Sequence, residues 1–145
     1  MNEEFSVLAS KVVKYTNDAS IVAKMSHWNI RGECSYEGHL LFDRVHGDIQ
    51  ALVDPLVEQL RACGFDPDFD IFSGPGISMN FFDFGSLVGL NLDYLMTLSG
   101  AIAMFYKFCE ENVQDPRLVA VGNQMQSMSS VVLTDLYLLQ ATQGH

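Results

Sequence analysis

Apolar residues recur along this chain at steps of three and four, the spacing that lines one face of an α-helix. In the first such segment Phe5, Leu8, Val12, Tyr15, Ala19, Val22 and Ser26 share a face that stays apolar until its last member. This predicts a helix running to about residue 31, where Gly32 supplies a stop. A second helix is predicted over residues 35–64, with Ser35 as its N-cap, Gly64 at its end, and Leu40, Leu41, Val45, Ile49, Leu52, Val53, Leu56 and Leu60 as its apolar positions. A third, over residues 84–112, follows Asp83 as cap, and a fourth runs from Asp115 and Pro116 to about residue 141. Between the second and third lie residues 65–83, rich in Asp, Phe, Gly and Pro, with room for one short helical turn.

The connections are therefore short, long and short. A long link lets the second and third helices run parallel, so the pattern predicts an all-α fold, the ferritin-like four-helix bundle with a long crossover. No composition shift or linker divides the chain, and one domain over residues 1–145 is expected. The nearly unbroken apolar run of residues 84–108 is interrupted by Asn91 and Asp93 and has no flanking Lys or Arg cluster. It reads as a bundle helix, not as a membrane span.

Charge narrows the choice of partners. Eighteen acidic side chains against eight basic ones leave a formal charge of −10, and residues 62–106 contain no Lys, Arg or His. Such a surface repels nucleic acid and attracts cations. The opening residues, MNEEFSVLAS, have neither a basic signal-peptide start nor a basic arm. Three widely spaced cysteines, Cys34, Cys63 and Cys109, form no C-x-x-C pair and fit free thiols in a reducing cytoplasm.

Candidate chemistry concentrates in residues 26–64. His39 and Asp43 are spaced i, i+4 on the second helix, and so are Asp54 and Glu58, while His27 ends the first helix. Taking His39 as zero, Asp43, Asp54 and Glu58 fall at about 40°, 60° and 100°, on one stripe. Carboxylate oxygens suit hard cations and imidazole suits iron or zinc, so the set fits a transition metal. One chain cannot close such a site, because His39 and Glu58 are roughly 28 Å apart along a helix and Asp43 and Asp54 roughly 16 Å. Two weak half-sites or one site shared between subunits remain. The midpoints of 39 and 58 and of 43 and 54 are both 48.5. An antiparallel pairing of this helix with its copy about that point would set His39 and Asp43 opposite Glu58 and Asp54 and create two equivalent sites. Gly47 and Ala51, near the centre, permit close approach.

His27-Trp28-Asn29-Ile30-x-Gly32, His39 twelve residues after His27, Asp43, Asp54, Glu58 and then Arg61-x-x-Gly64 resemble the ferroxidase pattern of Dps proteins, the dodecameric mini-ferritins. The resemblance covers about 40 residues closely and the bundle plan loosely. It implies a cytoplasmic, hollow homo-dodecamer built from two-fold dimers that oxidises Fe(II), preferring hydrogen peroxide to dioxygen, and stores Fe(III) mineral. His27, His39 and Asp43 would come from one subunit and Asp54 and Glu58 from its neighbour, with Glu58 bridging two irons. The chain departs from that pattern at Pro55, where a local distortion is expected, in lacking Lys-rich tails, and in its few acids near the start of the fourth helix. Two rival readings are a DNA-coating protein and a cage whose metal site binds without turnover.

The remaining candidates have plainer readings. His46, about 20° from the stripe, is expected to pack at an interface, with an auxiliary ligand as the alternative. Trp28 reads as a core or interface anchor, with electron donation to the site as a lesser role. Met96, Met104, Met125 and Met128 read as core filler, and Cys34 and Cys63 as small apolar filler. No Glu-x-x-His pair occurs and the last two helices carry no His ahead of His145, so a di-iron centre inside one bundle is not expected.

Overall fold

Polar caps set the starts of three of the four α-helices in the computed structural model, which describes residues 2–143, so His145 lies outside the described residues. α1 (Glu3–Asn29) opens with the Asn2 side chain accepting a hydrogen bond from the Phe5 N–H at 2.8 Å. It closes two residues short of the predicted end, because Ile30 turns extended. α2 (Ser35–Ala62) has Cys34 at its cap, in the left-handed region at φ 62° and with no side-chain cap bond. Ser35, the expected cap, is the first helical residue. Gly64, at φ 90°, ends the helix as anticipated, and the Phe65 N–H reaches back to the Leu60 carbonyl at 3.0 Å.

α3 (Phe84–Glu110) starts on the Asp83 carboxylate, which accepts from the Ser86 N–H and is held below its ordinary pKa by that bond. α4 (Pro116–Ala141) starts on Asp115, with Pro116 at its first position. The crossover carries one 3-10 turn, Phe69–Phe72. α2 continues through Pro55 to Ala62 as one helix, and the proline ring lies on its exposed side.

α1 packs against α2 and α3, and α4 packs against α3 and, more thinly, α2. Phe5, at the start of α1, meets Phe105, near the end of α3, edge to face at 5.5 Å. At the other end the Arg31 N–H bonds the Phe82 carbonyl at 2.9 Å. α3 therefore runs antiparallel to α1 and parallel to α2, as the long crossover requires. At this end a Cβ on Gly38 would sit 2.0 Å from Ile30 Cδ1 and 2.8 Å from Phe84 Cδ1, so glycine permits the close approach.

The core is continuous from Phe5 through Phe42, Leu56, Leu95, Phe105 and Met125. Each such side chain contributes roughly 1.5–3 kcal/mol on burial. Asn91, which interrupts the apolar run of α3, is itself buried, donating to Ser26 Oγ at 2.9 Å and to the Leu87 carbonyl at 2.8 Å. α3 is long and apolar enough to cross a membrane, yet it lays Leu87, Leu95, Leu98 and Phe105 into the bundle core.

Several expectations need correcting. Met125 and Met128 do fill the core, but Met96 and Met104 are exposed. Cys63 and Cys109 are buried thiols, Cys109 pushed up to about 11 by desolvation, whereas Cys34 is exposed and fills nothing. Trp28 is also exposed and is not a core anchor.

Candidate metal centre

α2 has two faces. Phe42, Val45, Ile49, Leu56 and Leu60 point into the bundle and are wholly buried. His39, Asp43, Gly47, Ala51, Asp54 and Glu58 are all exposed. The stripe of candidate ligands thus faces outward along the length of the helix. A Cβ added at Gly47 would meet nothing within 4 Å, so the centre of that face is open. Leu40, expected among the apolar positions of this helix, is exposed beside it, as are Trp28 and Tyr36.

At the N-terminal end of the stripe, His27 from the last turn of α1 stacks on His39, with ring centroids 3.8 Å apart and planes at 23°. Each ring bonds the other residue's backbone. His27 Nδ1 lies 2.7 Å from the His39 carbonyl and His39 Nδ1 3.0 Å from the His27 carbonyl. A carbonyl only accepts, so both Nδ1 atoms carry a hydrogen, and in the neutral ring Nε2 is the nitrogen left with a lone pair. This is the tautomer a metal-binding imidazole needs. Asp43 Oδ1 stands 4.0 Å from His27 Nε2 and 3.5 Å from Lys24 Nζ, so a cationic side chain already sits beside these donors.

Asp54 and Glu58 form the other end, one turn apart on α2. The Glu58 carboxyl is raised above its ordinary pKa, first by a hydrogen bond with Asp54 and then by the Asp54 charge. Two carboxylates this close repel each other, and a divalent cation relieves that repulsion while using both as oxygen donors. Helical rise puts the two ends of the stripe roughly 16 Å apart at their nearest residues. Among the described residues no three His, Cys, Asp or Glu side chains gather into a metal-holding group within one chain.

His46 stands apart from this set. Its Nδ1 lies 2.9 Å from the Ser20 carbonyl and 3.1 Å from Ser20 Oγ, so the ring clasps α2 to α1 within one protomer. Arg61, in the last turn of α2, bonds the Phe65 carbonyl at 3.0 Å and pairs with Asp66, tying the helix end to the crossover.

No family model matches the chain, and no curated protein matches its sequence. Solved structures do match its fold. The Dps of Thermosynechococcus elongatus superposes with a TM-score of 0.85 at 12% identity, over 97% of this chain and 90% of that one. A Vibrio cholerae O1 Dps, described as a member of a broad superfamily of ferritin-like diiron-carboxylate proteins, gives 0.83 at 16% identity over 96% and 88%. A zinc-soaked Dps from Listeria innocua gives 0.83 at 13% identity over 97% and 96%. The fold is therefore the ferritin-like bundle of Dps proteins, along nearly the whole chain.

Proposed function

We propose that this Dps-type bundle is a ferroxidase and iron-storage protein, a single domain whose sites are shared across a two-fold dimer. One observation carries the reading: the outward face of α2 holds two complementary half-sets of ligands, related by a point at its own exposed and uncrowded centre. A second copy laid antiparallel on this face would bring Asp54 and Glu58 of that copy to His27, His39 and Asp43 of the first. The free Nε2 atoms of the two histidines and the three carboxylates make a mixed nitrogen–oxygen donor set, which suits Fe(II). The exposed Trp28, Tyr36 and Leu40 beside it supply apolar area for such a contact.

In this reading Fe(II) is substrate and cargo. Two Fe(II) ions give one electron each to hydrogen peroxide, which takes up two protons and leaves as two waters, with dioxygen as the other candidate oxidant. Ferric ions then hydrolyse to mineral against the acidic surface of a dodecameric cage in the cytoplasm. The −10 charge favours iron over DNA as the species gathered. Adding peroxide to apoprotein preloaded anaerobically with Fe(II), and following ferric absorbance, tests the proposal. Oxidation well above the buffer rate, lost in Asp54→Ala and Glu58→Ala, is expected; a rate equal to buffer overturns it. A low-salt mobility shift with duplex DNA is expected to show no complex.

A further inference from the structure

A second acid pair lies on the opposite side of α2 and belongs to no step above. Asp48 is nine residues beyond His39, about 180° around the helix. It meets Asp135, the one acidic residue of α4. Asp135 is wholly buried, and neither of its carboxylate oxygens finds a hydrogen-bond donor. Asp48 is partly exposed, with Arg44 Nε 3.6 Å from its Oδ2. The contact spans α2 and α4, the most thinly packed neighbours in the bundle.

Two carboxylates in hydrogen-bonding reach, one of them cut off from water, cannot both be ionised at low cost. If one carries a hydrogen, it donates to the other and both groups are satisfied. We propose that Asp48 and Asp135 hold a single proton between them across the α2–α4 seam, and that removing it loosens the seam, making this the alkali-sensitive joint of the bundle. A divalent cation is a poorer occupant. Arg44 already offsets the Asp48 charge, and a hard cation takes six or more oxygens.

The electrostatics agree. Burial, then the hydrogen bond and charge of Asp48, push Asp135 up to about 8, while Arg44 pulls it down. Among the described residues the charged groups that act on it are Asp48 and Arg44, both on α2. Because the folded chain keeps a proton that the unfolded chain gives up near the ordinary aspartate value of 3.8, this pair's contribution is complete at low pH and is lost as pH rises to about 8.

Infrared difference spectra between pH 6 and pH 10 test the proposal on the intact protein. The carbonyl stretch of a protonated carboxylic acid should be present at pH 6, absent at pH 10, and missing at both in Asp135→Asn. In Asp48→Asn, where an amide donor faces Asp135, the band should vanish at lower pH than in the wild type. The thermal midpoint should fall by several degrees between pH 5 and pH 9 in the wild type and distinctly less in Asp135→Asn. A wild-type spectrum without the band at pH 6, or one persisting in both variants, overturns the proposal. So does loss of the band on adding Mn(II) at pH 6, which would make the pair a cation site.

Discussion

Two carboxylate pairs, one along α2 and one between α2 and α4, have nearly the same chemistry and opposite prospects. Asp54 and Glu58 stand a turn apart on the outer face of α2, and Asp48 meets Asp135 under its inner side. Glu58 is raised first by Asp54, and Asp135 first by burial and then by Asp48. The outer pair is open, so its repulsion can be relieved by something that arrives: a dication, or donors carried by a second chain. In the inner pair Asp135 is buried between helices with no donor for its oxygens, and a shared proton satisfies it. Surroundings, more than residue type, decide whether an acid pair is a binding site or a joint.

This contrast between the faces of α2 can be probed by substitution. The largest effect is expected inside: Phe42→Ala removes a wholly buried ring and should cost about 3–5 kcal/mol, read as a lower denaturant midpoint. Outside, Asp54→Ala and Glu58→Ala should leave that midpoint nearly unchanged but slow iron oxidation by roughly 100-fold or more, beyond what loss of a supporting contact costs at metal sites. Gly47→Leu should spare the protomer, since its side chain meets nothing, yet block pairing at the centre of the face; solution mass should drop below that of the wild type. The smallest effect belongs to Asp135→Asn. It should keep normal iron oxidation while flattening the decline in stability between about pH 4 and pH 8, the interval over which the raised pKa makes the folded chain the better proton holder.

Much of this was legible before any coordinates. Periodicity and capping residues located the helices because Asp83, Asp115 and Pro116 act through local backbone geometry that sequence encodes directly. The start of α2 was misread for the same reason: Cys34 adopts a left-handed conformation that its side chain does not advertise, and Ser35 next to it looked like a cap. Leu40 and Trp28 illustrate a different limit, since an apolar pattern marks a residue for burial without saying in what, and both lie on the outer surface of the protomer. His46 lay near the ligand stripe by angle, but only packing showed it clasping Ser20.

Asp135 went unread although a signal existed. It is the lone acid of α4, three residues after the buried Val132 and seven after the buried Met128, on the helix's apolar stripe. The spacing of His27, His39, Asp43, Asp54 and Glu58 was readable because i, i+4 periodicity and a common midpoint are properties of numbering alone. The tautomers of the histidines were not, because they depend on carbonyls twelve residues away.

The shared site can be tested by mixing two crippled chains. One variant carries His27→Ala, His39→Ala and Asp43→Ala, the other Asp54→Ala and Glu58→Ala, and neither should oxidise Fe(II) above the buffer rate. Dissociated, mixed in equal amounts and reassembled, they form hybrid dimers with one intact and one empty site. Random pairing then restores about a quarter of the wild-type sites, since half the dimers are hybrids and each holds one site of two. Recovery of oxidation to that level is the predicted result. A mixture as inactive as its parents, with hybrid dimers demonstrated by mass, would contradict a site built from two chains.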